Sequence, residues 1–478
     1  MTSVTRSGRR TGAGLAVVLL AAFMGQVDMF VVNVAAPRIQ DSLGAGFGQL
    51  QLVVSGYVVA YAAGDQPGGR LGDRWGRRRV FGHGAAWFTV TSLACALAPT
   101  VTTLIVARVL QGAAAAVLMP QVLALVRATF PDGPARARAV GAYGATIGFG
   151  VIAGLIGGGL LVDLDLAGLG WRTIFLVNVP IGIAIMVLAP LTVPESRAST
   201  TPGADVPGAV LIGLALPAVL LPVSLGAESG WPAWGWGLLL AGLLLAAAFV
   251  AHQRSLDRRH GDPIVPPRLF ATRGFTAGTA TVLAFFCGNA GLFLVLTYHL
   301  QSGLGLDPLA TGLAFTPLGV GFATGSAVSG RLAARFGVRT ATAGAALMLT
   351  SLLVVPALTG AAPTTQAWTL ATVLGVSGFG QGLVVAPLLS TVLALVGVDD
   401  AGAASGVVNT ATQVGMAGGV ALIGTLYRAL LGTDPDHPSI PLGPDAFAAA
   451  FDSVAVALAV LAAATAVLLE RLRWAMTP

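Results

Sequence analysis

Apolar runs of membrane-spanning length follow one another along nearly the whole chain. They constrain its fold more than any other feature. The first follows a short arginine-bearing start and reaches about Ala36. Others lie at roughly 49–68, 79–98, 103–126, 139–162, 174–194, 208–228, 233–252, 274–300, 309–330, 338–359, 367–396, 403–427 and 447–469. About twenty apolar residues suffice to cross a bilayer as an α-helix. The pattern therefore predicts an all-α polytopic membrane protein of fourteen transmembrane helices, with both termini on one side. Only 10% of residues are charged, against about 25% in a soluble domain, which excludes a soluble globule. The first run is too long for a signal peptide's apolar region and no clean cleavage site interrupts it, so an uncleaved helix is expected.

Charge placement orients these helices. All 26 basic residues are arginines, and 22 of them fall at the chain ends or in alternate loops that would share one face. The exceptions are Arg38, Arg172 and Arg428 near opposite ends, and Arg108 within a run. Loops rich in arginine stay in the cytoplasm, so both termini are expected there, in the cell membrane. Asp163, Asp165, Asp434, Asp436 and Asp445 fall on the other side. The high pI thus reflects loop arginines, not a nucleic-acid surface. A phosphate-binding Walker loop needs a lysine; with none in the chain, a nucleotide-driven pump is excluded. Glycines such as Gly378, Gly380 and Gly382 read as helix-packing positions. Cys95 and Cys287 both lie in apolar runs and suggest neither a disulfide nor a metal. No cofactor is called for, and no enzyme activity.

The stretch between the second and third runs, Gly69-Arg70-Leu71-Gly72-Asp73-Arg74-Trp75-Gly76-Arg77-Arg78-Arg79, carries more than topology requires. Arginines alone would fix orientation. The glycine frame and the single acid need another reason. The acid is placed to pair with a nearby arginine or with the positive N-terminal end of a helix. A weaker copy, Gly330-Arg331-Leu332-Ala333-Ala334-Arg335-Phe336-Gly337, stands at the matching place in the second half, with alanine for the acid. Between the halves lies a polar Ser/Thr/Pro-rich segment from Glu195 to Asp205. The predicted division is a six-helix bundle over 1–194, a linker with an inserted helix pair and a basic loop over 195–273, and a second six-helix bundle over 274–478. Paired halves around a central path are a common transporter plan.

The 69–79 stretch resembles the loop signature of the major facilitator superfamily. That resemblance implies a cytoplasmic latch formed by Gly69, Asp73, Arg74, Gly76 and Arg77, with Asp73 its acid. Asp28, in Asp28-Met29-Phe30-Val31-Val32-Asn33-Val34-Ala35-Ala36-Pro37, resembles the first-helix acid of the drug:proton antiporter-2 family, the fourteen-helix drug exporters. Arg108, in Leu104-Ile105-Val106-Ala107-Arg108-Val109-Leu110-Gln111-Gly112, resembles the arginine of the family's fourth-helix motif, which is linked to proton transfer. Gly148, Gly150, Gly154 and Gly158 resemble the gating glycines of its fifth helix, although the family's Gly-Pro step reads Gly154-Leu155 here. Trp171–Phe175 with Asn178-Val179-Pro180, Tyr298–Gln301, and Gly402–Gly406 with Asn409 and Gln413 are similar to further family stretches.

Independently of resemblance, an ionisable group inside an apolar run is a candidate functional site. Asp28 and Asp65 are the acids so placed in the first half, and Asp65 departs from the family pattern. Residue counts along the helices put Asp28 and Arg108 at levels about one helical turn apart. Proton coupling is assigned to Asp28, Arg108 and Asp65. A substrate cavity is expected among Met24, Asn33, Gln111, Asn289, Asn409 and Gln413. The reading is a monomeric proton-coupled antiporter exporting hydrophobic or cationic small molecules, with protons, cargo and lipid as its partners. The alternative is a facilitator or symporter of one metabolite. A membrane sensor or scaffold is disfavoured because no soluble domain is long enough to signal.

Overall fold

The structure, a computed structural model, describes residues 2–130, 133–197, 205–226, 230–259, 261–358, 363–397, 401–432 and 443–476. Asp434 and Asp436 and most of the 195–205 segment lie outside these. Every regular element described is helical. In order they are α1 (Thr2–Leu43), α2 (Phe47–Trp75), α3 (Arg77–Ala96), α4 (Val101–Thr129), α5 (Gly133–Asp163), α6 (Thr173–Leu176), α7 (Asn178–Thr192), α8 (Val206–Gly226), α9 (Ala233–Arg258), α10 (Arg273–Tyr298), α11 (Pro308–Ala314), α12 (Thr316–Phe336), α13 (Arg339–Val354), α14 (Pro363–Ala394), α15 (Ala401–Leu430) and α16 (Pro444–Met476). Short 3₁₀ and π turns join some of them.

Eleven helical stretches among the described residues are long and apolar enough to cross a membrane. The helices α2, α3 and α12 are also long, but arginines at their ends and a high share of glycine, serine and threonine lower their mean hydropathy. The runs at 174–194 and 309–330 each continue with helical backbone angles through a single turn residue, Val177 between α6 and α7 and Phe315 between α11 and α12. Local chemistry places several helix ends. The Thr100 hydroxyl accepts the Thr103 N–H to cap α4, and Asp307 caps α11 through the Ala310 N–H at 2.6 Å, ahead of a proline in its first turn. The outer surface is apolar, with Val90, Leu191, Leu244 and Val460 all exposed. Such a surface belongs in lipid, where helices satisfy their own backbone.

The packing pattern runs twice. In the first half α2 and α3 pack on α4, and α1 packs on α5 and α7; in the second α12 and α13 pack on α14, and α10 packs on α15 and α16. The closest pairs rely on glycine. A side chain at Gly112 would strike the backbone carbonyl of Tyr57, and one at Gly378 that of Leu318. These are the same approach made once in each half. The halves meet through α1 with α10, α2 with α15 and α5 with α11. Bonds that join them cluster at the end remote from the arginines. There the Tyr298 hydroxyl donates to Gln40 Oε1 at 2.7 Å, Gln301 Nε2 donates to the Val34 carbonyl at 2.7 Å, and the Phe47 and Tyr298 rings lie 4.9 Å apart.

The extra pair, α8 and α9, is attached through α8, which lies against both α2 and α15. Thr425 of α15 donates to the Val223 carbonyl of α8. At the arginine-rich end Asp205 ties the pair together. It accepts from Gln253 Nε2 at 2.6 Å and the Gly208 N–H at 2.9 Å, and lies 2.7 Å from His252 Nε2. Burial alone would raise the Asp205 carboxyl's pKa. The hydrogen bonds from Gln253, His252 and Gly208 outweigh burial and hold it below the usual carboxylate range. Arg70 of α2 donates to the carbonyls of Asp262 and Pro263 in the segment after α9.

Candidate functional site

A buried ion pair sits in the first half. Asp28 of α1 is 0% exposed and Arg108 of α4 only 1%. The guanidinium Nη1 donates to Asp28 Oδ2 at 2.7 Å and to Gln111 Oε1 at 2.7 Å, and Nε donates to the Val53 carbonyl of α2 at 3.2 Å. Asp28 Oδ1 accepts from Gln111 Nε2 at 2.8 Å and from Asn178 Nδ2 at 2.7 Å. Gln111 and Asn178 also both donate to Ser92 Oγ of α3. The Tyr57 ring covers the guanidinium at 4.3 Å. Two buried charges are tolerable only when paired and otherwise satisfied, and here helices α1, α2, α3, α4 and α7 supply the partners. Depths about one helical turn apart could be read along the sequence; the direct contact of α1 with α4 is a tertiary fact. Asn178 was legible only as part of a family stretch. It reaches Asp28 from the first turn of α7, which packs on α1. Ser92 carries no signal in the sequence.

A cavity of about 320 Å³ lies between the halves. Asn289, Asn409 and Gln413 line it, as the sequence reading expects of them. The other three residues of that set sit elsewhere. Gln111 belongs to the ion-pair network, Met24 is fully buried in the core of the first half, and Asn33 is buried and donates to the Phe30 carbonyl of its own helix. Helical periodicity turns all three away from the cavity, a rotation that an unaligned apolar run does not display. The added wall residues include Gln26, Tyr61, Tyr143, Phe322 and Gln381.

Asp65 of α2 lies apart from Asp28, toward the arginine-rich end. It is 9% exposed and accepts from Asn409 Nδ2 of α15 at 2.6 Å, which makes it a carboxylate bonded across the two halves. The glycines of α5 divide by role. Gly148 lines the cavity, while Gly150, Gly154 and Gly158 press against Gln26, Val27 and Val31 of α1. Gly159 instead meets the Pro308 carbonyl of α11, and Gly312 of α11 meets the carbonyl of Leu155. Leu155, standing where the family has proline, thus contributes its backbone to a two-glycine contact between the halves.

In the 69–79 loop, Gly76 turns the chain from α2 into α3 at φ 104°, a conformation that favours glycine. Asp73 pairs with Arg77, accepting from Nη2 at 2.8 Å and Nε at 3.1 Å. Arg74 is exposed and faces a groove beside α8. Gly69 packs near Pro120 of α4. The N-terminal end of α3 is occupied by a different acid. Glu195 accepts the Arg78 N–H at 3.0 Å, an acid where the helix dipole favours one. Arg77 N–H donates to the Ser196 carbonyl, so the end of the first half is bound to this loop. Sequence reading treated Glu195 only as a linker boundary. In the second copy Gly337 again has positive φ, at 60°. His299 stands at the C-terminal end of α10, buried in the second half, with its ring stacked on Phe451 at 4.3 Å between centroids.

The sequence profile of the Major Facilitator Superfamily matches residues 18–420 and, again, residues 277–478. A probable actinorhodin transporter of Streptomyces coelicolor is 38% identical over 426 residues, covering 89% of this chain and 74% of that protein. The puromycin resistance protein pur8 of Streptomyces alboniger is 37% identical over 433 residues, covering 88% and 84%. Among solved structures, a bacterial homologue of the human lysosomal transporter Spinster, in an inward-facing and occupied conformation, superposes with a TM-score of 0.70. It covers 97% of this chain and 96% of its own at 16% identity, which speaks to the fold.

Proposed function

The chain belongs to the Major Facilitator Superfamily, and from that premise we propose that it is a proton-coupled efflux antiporter exporting hydrophobic or cationic small molecules by alternating access. The observation that carries this reading is the Asp28–Arg108 pair, a carboxylate and a guanidinium fully buried in a membrane-embedded bundle. Such a pair is costly to bury and adds little net stability over an apolar replacement. A titrating role accounts for its presence. When Arg108 withdraws during the cycle, Asp28 takes a proton; when it returns, the proton leaves. Asp65 is the second candidate, because its bond to Asn409 connects a protonation event to the contact between the halves. The relatives named for actinorhodin and puromycin support an antibiotic-type cargo.

The same proposal takes α2, α3 and α12 as spanning helices beside the eleven more apolar stretches. That gives the fourteen-helix drug:proton antiporter-2 plan, in the cell membrane, with both termini cytoplasmic and a monomer as the working unit. In that orientation the present conformation is joined at the outer end by Tyr298 and Gln301, and nearer the inner end by the Asp65–Asn409 bond. Asp73, Arg77 and Gly76 form the cytoplasmic latch, with Arg74 and Gly69 beside it, and Gly148, Gly150, Gly154 and Gly158 let α5 move against α1. The experiment is efflux of a fluorescent substrate from proteoliposomes with an imposed proton gradient, before and after an uncoupler. Export against the cargo's own gradient that collapses on uncoupling supports the antiporter. Flux that only follows the cargo gradient replaces it with a facilitator.

A further inference from the structure

Among the described residues that line the central cavity there is no arginine, aspartate, glutamate or histidine. What its walls hold falls mainly into two kinds. Phe30, Tyr61, Tyr143, Phe286, Phe293 and Phe322 supply aromatic faces from α1, α2, α5, α10 and α12. Carboxamides supply most of the polar groups, beside the hydroxyls of Tyr61, Tyr143 and Thr412. Three of these carboxamides are already committed: Asn289 Nδ2 donates to Gln381 Oε1 at 3.0 Å, and Asn409 Nδ2 donates to Asp65. Gln26 of α1 and Gln413 of α15 make no side-chain hydrogen bond within the protein among the described residues, and Gln413 is only 4% exposed. A carboxamide on a cavity wall with no protein partner needs partners for two donors and an acceptor. Its placement on a cavity wall points to a ligand that supplies them.

From this we infer that the cargo class is narrower than hydrophobic or cationic: an uncharged, planar, oxygenated aromatic compound, sandwiched between the ring walls and hydrogen-bonded at its two edges by Gln26 from one half and Gln413 from the other. The inference rests on the efflux reading for the word cargo, but the binding chemistry stands on the cavity alone. A cation brought into this cavity meets no fixed negative charge on its walls, since Asp65 is not among the residues that line it. The cation would lose its hydration for ring faces and amide dipoles only. A neutral ring system with carbonyl and hydroxyl groups loses less water and satisfies both amides. An amide can donate to a carbonyl and accept from a hydroxyl, so such groups on opposite edges use both glutamines. At about 320 Å³ the cavity lies at the lower end of the usual small-molecule range, which suits a few fused rings.

Equilibrium binding to the purified full-length protein in detergent tests this without any gradient. The probes are 1,8-dihydroxyanthraquinone, anthracene and 9-aminoacridine, three tricycles of like size, the last a cation at neutral pH. Dihydroxyanthraquinone should bind at least about 10-fold more tightly than 9-aminoacridine. Gln26→Leu and Gln413→Leu should each weaken it by about 3- to 10-fold, the worth of a hydrogen bond or two, and leave anthracene unchanged. Gln413→Glu, in case the leucine variants misfold, should raise the affinity for 9-aminoacridine. The inference is overturned if 9-aminoacridine binds wild type as tightly, if neither tricycle binds, or if the glutamine variants change nothing. Its failure is separable from that of the efflux reading. A bound neutral tricycle that no gradient moves sinks the transport mechanism, whereas a cation pumped at full rate sinks only the cargo class.

Discussion

Asp28→Asn tests the proposed coupling site most directly. The replacement is isosteric and keeps a carbonyl oxygen to accept from Arg108, but it removes the charge and turns one acceptor into a donor. In the structure that donor faces groups that also donate, since Gln111 Nε2 and Asn178 Nδ2 both point at Asp28 Oδ1. Arg108, 1% exposed, is left as an uncompensated cation. Removing one partner of a buried pair typically costs 3–5 kcal/mol, roughly. Here Arg108 keeps the Gln111 and Val53 oxygens and the Tyr57 face, so the loss should fall near the lower limit, ~3 kcal/mol. Adding Arg108→Gln neutralises the stranded charge and should return most of that stability. Coupling should not return, because neither residue can then exchange a proton. The measurements are denaturant unfolding in mixed micelles, and efflux with proton release on substrate addition. The single variant should be less stable and unable to pump; the double variant should be stable and still unable to pump. If the double variant exports against a gradient and releases protons as wild type does, Asp28 is structural and Asp65 inherits the coupling role.

Other outcomes follow from the same geometry. Asp73→Asn removes a half-exposed i,i+4 pair with Arg77, worth about 0.3–0.5 kcal/mol; unfolding should barely change while transport falls severalfold, and normal transport by the folded variant would remove the latch role. Gly159→Val or Gly312→Val places a side chain against the backbone of the opposite half; spin-label distances between α5 and α11 should lengthen, and an unchanged distance refutes the glycine contact as a closure. Asp65→Asn should retain the link to Asn409 as a neutral bond but uncouple its strength from pH, flattening the pH profile of efflux; an unaltered profile makes Asp65 a bystander. Asp205, whose carboxyl lies below the usual carboxylate range, stabilises the α8–α9 attachment above the ordinary value of about 3.9, and that contribution is lost as pH falls through its lowered folded value. Asp205→Ala should abolish this acid dependence, followed as proteolysis near residues 253–265 between pH 5 and pH 2, and persistence of the dependence would place it on another group.

The sequence by itself determined the class, the course of the chain and its repeat. Apolar runs and arginine loops act locally, through the transfer free energy of each residue, so they can be counted along the chain. The loop between α2 and α3 was legible for the same reason, since Gly76, Asp73 and Arg77 are neighbours in sequence. What tertiary structure decided was every relation between helices. An apolar helix in lipid shows little amphipathic stripe to mark which side faces a cavity. Met24, Asn33 and Gln111 therefore looked equivalent to Asn289, Asn409 and Gln413 until helix rotation separated them. Asn178 became a partner of Asp28 because α7 packs beside α1, across 150 positions of chain, and Ser92 of α3 joined the network by accepting from Gln111 and Asn178. Glu195 reached the α3 N-terminus and Asp65 met Asn409 in the same way. Side-chain chemistry is written residue by residue; the close approaches that join distant residues depend on small side chains such as Gly112, Gly159 and Gly312 on helices far apart in sequence, and only the folded bundle shows which helix each one meets.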